Sequence, residues 1–285
     1  MKLLTSLVLT CCLLSFAPLA AAADPRAERY ESHPQINFPP DSKVWTLIPE
    51  ANVRAEPAIT AAVIGKLPIG TEIVVLKSNE AGQDYTQNGL TSGWIKGNFK
   101  LDGEMREGYV WGGIVTQLRI RSTANDGVYL YAGIQSATDQ GKQFADKAVG
   151  RIHAARDGVE LAKLVFDAPN STTHEAAALS EGSQGLAGVK DVLLLNYQAQ
   201  YCGANAGEVL LFWTGSKFVL GKTMTKFSDP PVFSIENVIL PKDAGGKKGT
   251  ILVRKEEGGA NDETGKVEHT EMASWSWTGS GLQKK

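Results

Sequence analysis

With 285 residues, 42% of them apolar and 21% charged, and a net charge of −2, the chain is neither wholly disordered, collagen-like nor a multi-spanning membrane protein, and it is longer than one small module. Thirty Gly and 12 Pro, together with six Trp and seven Tyr, predict many turns between short strands rather than long helices.

The chain starts MKLLTSLVLTCCLLSFAPLAAAAD. Lys2 is followed by an apolar run from Leu3 to Phe16, then Pro18 and the small residues Ala20 to Ala23. Residues 1–23 are predicted to be a secretory signal peptide. The apolar run is shorter than the roughly 20 residues of a membrane-spanning helix, and the alanines offer cleavage positions. Cys11 and Cys12 lie inside the run without the small residues that precede a lipidated Cys, so neither a lipid nor a transmembrane anchor is expected after cleavage. Removal of residues 1–23 takes Lys2 and no acid, leaving 28 basic and 31 acidic groups and a net charge of −3. That balance, with no concentrated basic cluster, argues against nucleic acid as a partner. Cys202 is then the lone cysteine, which excludes an internal disulfide and reads first as a buried apolar thiol.

Residues 24–43 mix charges with four prolines and form an extended leader. From Val44 the chain divides into strand-sized pieces: VWTLI, ANVRAEP, AAVIGKLPIGTEIVVL, SGWIKG and EGYVWGGIVT, with a compact turn at Pro68-Ile69-Gly70. Asn52-Val53-Arg54-Ala55-Glu56-Pro57, Val63 to Thr71, Gly93-Trp94-Ile95-Lys96 and Gly108-Tyr109-Val110-Trp111 resemble, in order and spacing, the bacterial SH3-like (SH3b) family over residues 44–118. Two departures are the insert Ser78 to Ser92, longer than the family's usual connection, and Tyr109 where Trp is commonest. The resemblance implies a small barrel that binds cell-wall peptide or another extended envelope ligand. Tyr85, Trp94, Tyr109 and Trp111 are the candidate ligand-binding residues, with Trp94 also a natural core residue and Tyr85 expected to be exposed.

Beyond Leu118 the strand pattern continues. LRIRS and GVYLYAGI are short β-type runs, and GRIHAARDGVELAKLVFD reads as a hairpin around Asp157-Gly158. Within residues 170–186 a short helix is expected, capped near Thr172 or Thr173 and ending by Gly182. KDVLLLNYQAQY, GEVLLFW, KFVLGKTM, VFSIENVIL, GTILVRKEE and KVEHTEMASWSW all read as strands. The sequence Trp213-Thr214-Gly215-Ser216-Lys217-Phe218 recurs as Trp277-Thr278-Gly279-Ser280-Gly281-Leu282, which reads either as a repeated hairpin unit or as the aromatic-plus-Gly hairpins that recur in any antiparallel sheet. The expected fold class is therefore mainly β: a small SH3-like barrel followed by a larger antiparallel β-sheet or sandwich domain at residues 119–285, with at most one or two short helices.

No complete catalytic set is present. Cys202 has His153, His174 and His269 elsewhere in the chain, but no companion motif. His174-Glu175 lacks the second His of H-E-x-x-H, and there is no G-x-S-x-G elbow, S-x-x-K pair or phosphate loop. Gly245 to Gly249 reads as a hairpin turn. Glu256 to Glu263 reads as an acidic loop without the ligand register of an EF-hand. No cofactor and no metal are expected. The functional expectation is an exported, periplasmic or secreted, non-catalytic binding protein whose partner is a cell-wall peptide or glycan, or an envelope protein. The alternatives are an envelope hydrolase using Cys202 and an interaction or inhibitor protein acting through the C-terminal sheet.

Overall fold

The computed structural model describes residues 30–32, 38–78, 84–124, 126–138, 147–169, 175–198, 206–229, 232–259 and 266–285. The expected signal peptide, most of the leader, His174 and Cys202 lie outside the described residues. Among those described, the one helical segment is a single 3-10 turn, Gly112–Ile114; the regular structure is otherwise strand.

After β1 (Tyr30–Ser32), the first stretch supplies β2 (Lys43–Thr46), β3 (Ala51–Arg54), β4 (Val63–Leu67) and β5 (Glu72–Ser78). It continues with β6 (Tyr85–Gln87), β7 (Leu90–Ser92), β8 (Trp94–Leu101), β9 (Glu104–Trp111) and β10 (Val115–Thr116). Seven of these strands form one antiparallel sheet in the order β10-β2-β5-β8-β9-β3-β4. Alternation along its strands sends Val44, Val53, Ile73, Val75, Ile95, Phe99 and Val110 into a single core. The expected turn at Pro68–Gly70 is present, with Gly70 at φ 76°. The insert after Ser78 carries a hairpin of its own, β6–β7, turned by Asn88 and Gly89 at φ 52° and 73°.

β11 (Arg119–Arg121), β12 (Tyr129–Thr138), β13 (Lys147–Arg156) and β14 (Val159–Ala168) form a four-stranded antiparallel sheet. Asp157 and Gly158, at φ 51° and 78°, make the two-residue turn read from the sequence. The remaining strands are β15 (Glu175–Ser180), β16 (Asp191–Gln198), β17 (Ala206–Trp213), β18 (Phe218–Asp229), β19 (Val232–Ile239), β20 (Thr250–Gly259), β21 (Lys266–Trp277) and β22 (Leu282–Lys284). With β1 they make a nine-stranded sheet in the order β1-β15-β16-β17-β18-β19-β20-β21-β22.

The helix expected within residues 170–186 gives way to strand β15. Ala176, Ala177 and Ala178 pair with β1 on one side and with Leu195, Asn196 and Tyr197 on the other, so ladder pairing overrides the helical preference of alanine. Glu256 to Gly259, expected in an acidic loop, belong to β20; residues 260–263 lie outside the described set.

The four-stranded sheet is the middle layer. One face, through Leu130, Ala132, Ile152, Ala154 and Phe166, packs on Leu193, Leu195, Tyr197, Val209, Leu211 and Trp213 of the nine-stranded sheet. Its other face sets Tyr131 and Ala155 against Trp45, Leu47 and Ile69 of the first stretch. β16 and β17 read as nearly unbroken apolar runs because both of their faces are covered. Val192, Leu210 and Phe212 turn the opposite way, into a further core with Met224, Ile251, Val253 and Leu240. Asp191 opens β16 fully buried and accepts hydrogen bonds from Ser122 Oγ (2.7 Å), the Thr123 N–H (2.9 Å), Thr123 Oγ1 (2.5 Å) and Ser180 Oγ (3.0 Å), which ties the two sheets together.

Candidate functional site

The four aromatic residues singled out in the sequence lie together at the seam between the first stretch and the middle layer. Trp94 and Trp111 are 4% and 7% exposed and belong to the shared core. Trp111 Nε1 donates to the carbonyls of Tyr85 (3.1 Å) and Ser92 (2.9 Å), and the Tyr85 ring meets the Trp111 ring edge-on at 5.6 Å. The β6–β7 hairpin is thus latched over Trp111. Gly113 follows because a Cβ there would overlap that indole, 2.3 Å away. Tyr85 and Tyr109 are half-buried and pack against the same core, so they carry the accessible part of this aromatic set.

Two histidines fall among the residues described, His153 and His269. His153 Nδ1 lies 2.6 Å from Glu160 Oε2 and is buried beneath the first stretch. Burial holds its pKa below the ordinary 6.5, opposed by the Glu160 hydrogen bond and charge and reinforced by Arg151 and Lys163. Arg151, on the same face of β13, donates to the Gly113 carbonyl at 2.8 Å, and burial lowers its pKa to about 10. His269 is exposed on β21. No group of three or more His, Cys, Asp or Glu that could hold a metal exists among the described residues. No helix among them is long and apolar enough to cross a membrane.

A different site lies in the nine-stranded sheet, which forks. β18 pairs with β17 from Phe218 to Lys226, and β19 pairs with β20 along its whole length. β18 and β19 pair with each other only from Lys226–Asp229 to Val232–Ile235. Above that the two strands part, leaving Phe218–Thr225 without a partner strand on this edge among the described residues. Glu236 stands in the fork: its Oε2 accepts the Thr225 N–H at 3.0 Å, and its Oε1 pairs with Lys222 Nζ at 3.3 Å. A side-chain carboxylate thus takes the position that a neighbouring strand's carbonyl would fill. By the two-residue alternation of strands, Thr223 directs its N–H and C=O to the same open edge.

Beside the fork, a cleft of about 170 Å³ is lined by Lys222, Glu236, Lys255, Glu271, Trp275 and Lys284, among others. Lys222 Nζ sits 5.5 Å from the Trp275 ring centroid, and Lys255 pairs with Glu257 at 2.6 Å. The volume is below the roughly 300 Å³ at which small-molecule sites begin, so it suits one side chain of an extended ligand better than a compact cofactor. Sequence reading passed over these residues. The available signal was the alternation Trp275-Ser276-Trp277, which puts both indoles on one face, but the meeting of β18, β19 and β21 is a property of the sheet and not of any one segment.

No family model, curated protein or solved structure matches the chain.

Proposed function

We propose that the chain is an exported, non-catalytic binding protein of the cell envelope that takes an extended peptide in the fork between β18 and β19. Residues 44–118 serve as its SH3-like module. The observation that carries this reading is the Glu236 carboxylate on the Thr225 N–H, a stand-in acceptor on an open strand edge next to a cleft with an aromatic wall. An entering peptide displaces Glu236, adds its backbone to β18 and lodges a side chain against Trp275; main-chain pairing gives affinity and the pocket gives selectivity. Lysines and glutamates line the cleft together, which suits a peptide bearing both carboxylate and amine groups, such as the stem peptides of the cell wall. The export signal and the ordered motifs of residues 44–118 support the envelope setting, with Tyr85 and Tyr109 as a second contact surface.

Co-sedimentation with purified peptidoglycan sacculi tests the reading. The chain is expected in the pellet, with Trp275→Ala released at concentrations where the parent is retained. Full recovery of the parent in the supernatant contradicts the proposal.

A further inference from the structure

The borders of the three larger sheets are short with one exception. β1 and β22 have 3 residues each, β4 has 5, β10 has 2 and β11 has 3, whereas β14, the last border of the four-stranded sheet, has 10. Short border strands are one of the ways in which proteins avoid edge-to-edge association, and β14 does not use it. Its pairing to β13 shifts register between Ala154 and Ala155, leaving Leu161 as an extra residue. From Ala162 to Ala168 the ladder is regular, and among the described residues no strand pairs with the other edge. The segment contains no proline; Pro169 follows it directly. Val165, 45% exposed, stands between the exposed Lys163 and Asp167, while Leu161 and Val159 nearby are 38% and 61% exposed.

We propose that β14 pairs antiparallel with β14 of a second copy of the chain, with the two-fold axis through Val165. In that register the seven regular residues match end to end. Lys163 faces Asp167 of the second copy on both sides of the axis, Val165 faces Val165, Leu164 faces Phe166 and Ala162 faces Ala168. An axis through Lys163 instead sets two ammonium groups opposite each other, which is unfavourable, so the charges choose the register. The two four-stranded sheets become one of eight strands, in the isologous arrangement that closes a dimer.

The test is a charge-exchange cycle read by sedimentation equilibrium of the full chain over roughly 1 to 100 µM, where an interface of modest area assembles. The parent is expected to be dimeric within this range. Lys163→Asp and Asp167→Lys, each placing like charges across the axis, raise the dissociation constant at least about tenfold. The double exchange Lys163→Asp with Asp167→Lys restores the parent value. Both positions are solvent-exposed, so circular dichroism of all three variants should match the parent. A parent that stays monomeric, single variants that dimerise unchanged, or a double variant that fails to recover each overturns the proposal.

Discussion

The rings of Phe212 and Trp277 meet with centroids 4.5 Å apart, although their strands β17 and β21 are four positions apart in one sheet. In a flat sheet four steps span about 19 Å. The contact therefore requires the sheet to roll, and the β18–β19 fork is where the two wings separate. Trp277 also donates from Nε1 to the Ala187 carbonyl at 2.9 Å, fastening the far wing to the loop before β16.

Phe212→Ala is expected to lower the unfolding free energy by about 3 to 4 kcal/mol, because its side chain is fully buried between the wings. Trp277→Ala costs less, since that ring is half-buried. The double variant should show a coupling of about 1 kcal/mol in urea titrations, as for other aromatic pairs. Additive losses would mean that the two wings are held together elsewhere.

Much of this architecture was legible because it is written locally. The twin Trp-Thr-Gly-Ser segments fold into matching turns: the N–H and Oγ1 of Thr214 reach the Lys217 carbonyl, and those of Thr278 reach the Gly281 carbonyl, all at 3.0 Å. Gly215 and Gly279, at φ 93° and 91°, supply the left-handed conformation. The Asp157-Gly158 turn is local in the same way. What escaped depends on partners distant in sequence. Glu175 to Ser180 has helix-forming composition but lies between β1 and β16, and VFSIENVIL gives no sign that half of it loses its neighbour. The aromatics near Trp94 and Trp111 were recognisable as a set, but their burial depends on a middle layer that begins only at Arg119.

Asp191 is a buried carboxylate whose hydrogen-bond donors come from Ser122, Thr123 and Ser180. Asp191→Ala takes the acceptor from Ser122 Oγ, Ser180 Oγ and the Thr123 N–H, while Thr123 Oγ1 keeps the Lys190 carbonyl at 3.2 Å, and should destabilise the fold by about 3 kcal/mol; Ser180→Ala, which removes one donor, should cost about 1 kcal/mol. Thermal unfolding of both variants beside the parent checks the order.

His153 gives the fold a pH dependence of known sign. Its folded pKa lies below 6.5, so as pH falls through 6.5 the unfolded chain takes up a proton more readily than the folded one. Stability contributed by neutral His153 is complete above that pH and declines beneath it until the folded histidine itself titrates. The urea midpoint should therefore drop between about pH 7.5 and about pH 5, and drop less in His153→Gln. Equal slopes for parent and variant would remove His153 as a source.

Glu236→Ala frees the Thr225 N–H and Lys222 from their internal partner. If Glu236 occupies the place of a ligand carbonyl, its removal should tighten retention on sacculi by about fivefold, the worth of one hydrogen bond of about 1 kcal/mol. Weaker retention would assign the carboxylate to ligand contact instead.

The most direct measurement is residue-resolved amide hydrogen exchange along β18, with and without the soluble peptides released from digested sacculi. Strand addition in the fork predicts that the Thr223 and Thr225 amides slow when the peptides are present, while the Val209 and Leu211 amides on the already paired β17 do not change. Peptides that bind, as shown by ultrafiltration, yet leave Thr223 and Thr225 exchanging at the free rate would contradict it.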